Sequence, residues 1–127
     1  MISFKNYKKS DISIIILLYK TPLKKIQNIL NYRNFKLLIL DQSNDFLTKK
    51  KIQSMLPNIE YYHVSNNNKG FAGGINFLTS KVKTKLFLCT QLDVLLDENS
   101  IIELLRSFNT KRDCIISIPI TNHKNNK

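Results

Sequence analysis

This chain of 127 residues predicts an α/β protein with a doubly wound, mostly parallel sheet, on two observations. Its strand candidates are continuous apolar runs rather than alternating ones, the pattern of strands covered on both faces. They also take turns with amphipathic helical segments, the order that a parallel sheet with crossover helices requires.

Taken in order, residues 1–10 form a polar, basic N-terminal segment, and residues 11–127 form the domain. Residues 11–19 are a β-branched and leucine run, hence a buried strand, which Thr21 and Pro22 break. Leu23, Ile26, Ile29 and Leu30 then recur at helical spacing, with Lys24, Lys25 and Asn28 on the other face. Residues 35–40 make a second strand and residues 47–56 a short basic helix closed by Pro57 and Asn58. A third strand, 59–64, is largely aromatic, and a helix follows from Gly70 to about Ser80. Residues 85–90 are the fourth strand. Ser100 and Glu103 have the spacing of a capping box ahead of a helix whose buried stripe is Ile101, Leu104, Leu105 and Phe108. Residues 114–118 predict a fifth strand, after which the chain turns polar and stops at Lys127.

The length allows one domain with a real core. Lys and Arg number 20 against 9 Asp and Glu, a net charge of +11, which suggests an anionic partner or a solvated lysine-rich face. Cys89 and Cys114 sit inside apolar runs and lack neighbours at metal-ligand spacing, so both are expected as buried thiols on adjacent strands in a reducing compartment. The longest apolar stretch, residues 12–19, is too short for a bilayer span, which takes about 20 residues. It also lacks a small-residue cleavage site, so no signal peptide is expected.

Three polar clusters fall just past strand ends: residues 41–45, 66–76 and 91–93. In open α/β sheets ligands gather in the crevice outside the carboxyl ends of the strands. Turn chemistry accounts for Asn and Asp in the first cluster equally well. The second holds Gly70, Gly73 and Gly74 at a helix start, where free amides favour an anion. It is not the dinucleotide fingerprint, which belongs to the first strand-to-helix turn, and no P-loop occurs. In the third cluster Asp93 either offers a carboxylate to a hard cation or a sugar hydroxyl, or, as the commoner role of a lone Asp in such a place, starts a turn or caps the next helix.

Four stretches carry a resemblance: Ser13-Ile-Ile-Ile-Leu-Leu-Tyr-Lys20, residues 40–45, Asn68-Lys-Gly-Phe-Ala-Gly-Gly-Ile-Asn76, and Gln91 to Val94. In order and spacing they are similar to family 2 glycosyltransferases, nucleotide-sugar enzymes of the Rossmann-like type A fold, and look most like the rhamnosyltransferase-like branch. The third stretch is the most specific. The resemblance implies that Tyr19 lines the base pocket, and that Asp41, with Ser43 beside it, hydrogen-bonds the nucleobase. It implies that Asn68, Gly70, Ala72, Gly73 and Asn76 face the ribose and diphosphate, with Gln91 near the sugar nucleotide. Asp93 would hold Mg2+ or Mn2+ through its oxygen, a hard ligand suited to either ion. Many relatives carry a carboxylate where this chain has Gln91, an amide without charge.

By the same resemblance the acceptor-binding region and the general base follow the fifth strand. Only His123 titrates usefully after Asp113, so the sheet is expected to be truncated after about five strands and the acceptor half to be missing. The implied activity is inverting transfer of a hexosyl or rhamnosyl group to a glycan or lipid-linked acceptor in surface polysaccharide synthesis. The implied location is cytoplasmic, with peripheral contact at the inner face of the membrane through Lys24, Lys25 and Lys49 to Lys51. Two other readings stand beside it. One is a basic nucleic-acid-binding module, which the charge favours and the lack of aromatic–basic interleaving disfavours, so that no nucleic-acid partner is expected. The other is an inactive remnant of a glycosyltransferase.

Overall fold

The computed structural model describes residues 7–57, 59–94 and 96–109. Four parallel strands, β1 (Ile12–Leu18), β2 (Lys36–Asp41), β3 (Tyr61–Val64) and β4 (Leu86–Thr90), lie in the order β3-β2-β1-β4. β1 is central. Ile14 faces Leu37 on one side and Leu88 on the other, and Ile16 faces Ile39 and Thr90. Such a strand has apolar neighbours on both faces, which is why its sequence does not alternate.

The helices divide between the two faces. α1 (Leu23–Ile26) with its 3-10 continuation Gln27–Tyr32, α2 (Phe46–Met55) and α4 (Glu98–Asn109) cover one of them. There Ile26, Ile29, Tyr32, Ile52, Ile101 and Leu105 meet Ile12, Ile14, Ile16, Leu18 and Ile39. α3 (Gly70–Thr79) covers the other, setting Leu78 and Ile75 against Ile15, Leu38 and Leu40. The chain steps outward from β1 to β3 over the first face, then returns across the second to place β4 beside β1. That reversal is the switch point of a doubly wound sheet, and it sits between β1 and β4.

The structure corrects several expectations. Cys89 is exposed, not buried. It is in register with Ile15 and so shares α3's face, but α3 packs over β1 and β2 and leaves Phe87 and Cys89 uncovered. Cys114 and the predicted fifth strand lie outside the described residues. Helix α1 lasts one turn before tightening into 3-10 geometry. α4 begins before Ser100, because the Asp97 carboxylate accepts the Ser100 N–H at 2.8 Å and so takes the cap. Tyr7 already packs against the core, and Lys9 pairs with Glu98, so the basic segment is partly built into the domain. Among the described residues, no helix is long and apolar enough to cross a membrane.

Candidate functional site

A cavity of about 350 Å³ opens at the switch point, on the carboxyl edge of the sheet. β1 supplies Leu17 and Leu18 to its wall, Tyr19 follows directly, Thr21 and Pro22 come from the turn into α1, and Lys25 from α1 itself. Lys20, at φ 50°, takes the left-handed conformation that swings the chain off β1. Asn68, Gly70 and Phe71 come from the start of α3, Gln42 from the end of β2, and Gln91, Leu92 and Asp93 from the turn after β4. Of the residues singled out in the sequence, Tyr19, Asn68, Gly70, Gln91 and Asp93 meet here. Asp41, Ser43, Ala72, Gly73 and Asn76 do not line the cavity.

The chain's three glycines all belong to α3, and they serve different ends. Gly70 has φ +75°, a conformation that L side chains rarely adopt, and open space where a Cβ would sit. Its N–H donates to the Asn68 side chain at 2.8 Å, which shapes the turn into the helix. The next amides of the first turn have no carbonyl partner within the helix, and Gly70 and Phe71 line the cavity, a favourable setting for an anion. Gly74 instead permits close packing. A Cβ there would come within 2.8 Å of Leu17 Cδ2 and 3.1 Å of Gln42 Nε2. A Cβ on Gly73 would lie 2.7 Å from that of Lys69, so this glycine also meets a packing constraint at the start of α3.

Gln42 was not singled out in the sequence, yet it joins two walls of the cavity. Its side chain is buried; Oε1 accepts the Lys69 N–H at 2.9 Å and Nε2 donates to the Gly70 carbonyl at 3.2 Å. The end of β2 is thereby strapped to the start of α3. In sequence Gln42 is one polar residue in a turn cluster, and its partners lie 27 and 28 positions away. No local pattern marks it.

Asp41 lies behind this wall at 2% exposure. Its Oδ1 accepts the Ser43 N–H at 2.9 Å and also the Ser43 hydroxyl. Burial pushes the Asp41 carboxyl up from its ordinary value; the two Ser43 bonds oppose that, and nearby Asp45 adds to it. Asp45 caps α2 by accepting the Thr48 N–H at 2.9 Å, and bonds from Thr48 hold its carboxyl below the usual range. A raised folded-state value means that Asp41 favours the fold only while protonated, and that this contribution fades as pH rises through that value. At pH 7 the buried charge is therefore a cost. Asp41→Asn, whose amide oxygen can still accept from Ser43, is expected to melt roughly 2–5 °C higher than the parent at pH 7. The gap should close near pH 3. A lower melting point at pH 7 would contradict this account of Asp41.

Asp93 is exposed and is the one carboxylate among the described residues that line the cavity. Among the described residues no group of three or more His, Cys, Asp or Glu side chains is placed to hold a metal ion. Asp93 and the Gln91 amide oxygen are hard donors, too few for an all-protein cage. They fit the way Mg2+ is commonly held, by one or two carboxylates together with substrate phosphates and water.

No curated protein matches the chain significantly. Residues 13–127 match the model of glycosyl transferase family 2. That span starts one residue into β1 and takes in the other three strands with every loop that walls the cavity. On this match over most of its length, the chain belongs to glycosyl transferase family 2.

Proposed function

We propose that the cavity between β1 and β4 holds the nucleoside diphosphate of a sugar donor, and that the sugar passes to a glycan or lipid-linked acceptor in surface polysaccharide synthesis. Family membership itself implies glycosyl transfer, with a nucleotide-sugar donor and an acceptor. The observation that carries the finer reading is the opposition of two groups across one cavity. The first turn of α3 would offer backbone amides to phosphate, and Asp93 would offer a carboxylate to a divalent cation that neutralises phosphate charge.

In this reading Tyr19 stacks on the base, and Asn68 and Gly70 shape the turn against the diphosphate. Gln91 meets the sugar side of the donor. Lys25, at the wall, adds positive charge. A base contact to Asp41 requires its carboxylate to be uncovered, since the residue is buried and Oδ1 already accepts from Ser43. Asp93 and Gln91 would hold Mg2+ or Mn2+, which when bound neutralises charge growing on the departing diphosphate. Transfer of a hexosyl or rhamnosyl group with inversion belongs to the same proposal. The general base is assigned to no residue of this wall.

Calorimetric titration of the chain with UDP, dTDP and GDP, each with and without Mg2+ or Mn2+, tests the reading. One nucleotide is expected to bind, and more tightly with metal. Absence of binding for all three, with a cooperative melt proving the chain folded, would overturn it.

A further inference from the structure

Eight large apolar side chains are left exposed among the described residues, and six of them share one edge of the sheet. Tyr19 directly follows β1, Leu23 opens α1, Phe46 and Leu47 open α2, and Phe71 lies in the first turn of α3. Val94 belongs to the turn that carries Asp93, its N–H donating to the Gln91 carbonyl at 3.1 Å. In a parallel sheet all these positions follow strand carboxyl ends, so the apolar rim lies on the edge where the cavity opens, with Tyr19 and Phe71 in the cavity lining itself. Leu47 is 81% exposed, although it sits inside a regular helix.

Lysine accompanies this rim at short range. Lys20 adjoins Tyr19 and Lys24 adjoins Leu23, while Lys50 and Lys51 stand three and four residues from Leu47 on the same helix face. All four are exposed. Of the acids on this edge, Asp45 is engaged in capping α2, Asp41 is buried, and Asp93 is exposed at the cavity wall. The opposite edge differs: there Glu98 is met by Lys9 and by the Asn34 side chain. Exposed basic residues such as Arg33, Lys36, Lys83 and Lys85 also precede or open strands on that edge, so what marks the cavity side is lysine set beside exposed apolar side chains.

We infer that this edge docks on a phospholipid surface rich in anionic headgroups. Apolar side chains rimmed by lysines suit the boundary between headgroups and acyl chains, where burial of the first and attraction of the second add. A second copy of the chain fits less well. A two-fold contact through the same patch would set its lysines against themselves. A nucleic acid could stack on Tyr19, Phe46 and Phe71 but would gain nothing from Leu23, Leu47 and Val94, the aliphatic half of the rim, which suits acyl chains. Only the purpose of the docking rests on the proposed function: a lipid-linked acceptor would meet the cavity mouth at headgroup level.

The chain contains no tryptophan, so a single introduced one reports its own surroundings. Leu47→Trp places the reporter on the rim, and Phe87→Trp places a control on the exposed face of β4, away from that edge. With vesicles of phosphatidylglycerol and phosphatidylcholine, the emission of Leu47→Trp is expected to shift to the blue while that of Phe87→Trp stays put. Pure phosphatidylcholine should leave both unchanged. Adding Lys50→Glu and Lys51→Glu to Leu47→Trp should weaken vesicle binding by more than about tenfold. An unmoved Leu47→Trp spectrum, or an equal shift of the control, overturns the inference. So does a concentration-dependent shift without lipid accompanied by a doubled mass, which would assign the rim to a second copy. The vesicle assay contains no nucleotide, so its result and that of the donor titration stand or fall separately.

Discussion

Asp93→Ala is expected to weaken metal-dependent nucleoside diphosphate binding by about a hundredfold, equivalent to about 2.7 kcal/mol, while leaving the melting point unchanged. The side chain is exposed at the cavity wall, and no other carboxylate among the described residues lines that wall. Removing it takes away the charged protein ligand of the cation but little packing, and surface changes of that kind usually stay within about 0.5 kcal/mol in stability. Asp93→Asn keeps an oxygen and drops the charge, so a loss of about tenfold is expected, between parent and alanine. Binding without metal should differ little among the three proteins. Equal metal-dependent affinities for parent and Asp93→Ala would remove Asp93 from the site.

Gly74→Val is expected to cost stability at the upper end of the range for overpacking, about 3 kcal/mol, and to lower the melting point by roughly 10 °C. The missing Cβ is what lets α3 settle on β1. A side chain there would collide with both Leu17 methyls, at 2.8 and 3.0 Å, and with Gln42 Nε2 at 3.1 Å. Displacing Gln42 releases the strap on Lys69 and Gly70, so nucleotide affinity should fall along with stability. Gly74→Ala should fall between, since the tip of Leu17 can rotate away. Gly70→Ala provides the contrast. With nothing within 4 Å its cost comes from φ +75° alone, about 1 kcal/mol. Melting curves of the three variants separate packing from backbone strain. A Gly74→Val protein that melts with the parent would show that α3 has room over Leu17.

The strands were legible because burial on both faces writes itself into sequence as unbroken apolar runs. β1 at Ile12–Leu18 falls inside the predicted 11–19. β4 shows the limit of that reading. Its residues are as apolar as those of β1, yet Phe87 and Cys89 face outward, because how far α3 reaches over the sheet is not written in β4. Helix ends were less legible. Leu23, Ile26 and Ile29 suit 3.0 and 3.6 residues per turn nearly equally over so short a span, and the structure uses both. At α4 two capping arrangements compete three residues apart, and Asp97 prevails. In the site, residues with a distinct chemical type at a strand end, such as Asp93 and Tyr19, could be found. Gln42 could not, since its role lies in bonds to a segment far along the chain.

The pairing of β1 with β4 also bears on how the chain acquires its fold. Ile14 can meet Leu37 as soon as the first hairpin-length stretch and its helix have emerged, but its other neighbour is Leu88. At synthesis rates of about 5–20 residues per second, the second edge of β1 stays unpaired for roughly 4–14 s after the strand itself is made. During that interval a strand of five consecutive buried residues offers open backbone donors and acceptors. Contacts so distant in sequence also slow the search that closes the sheet. Nascent chains stalled before residue 86 should therefore be the species most dependent on chaperones.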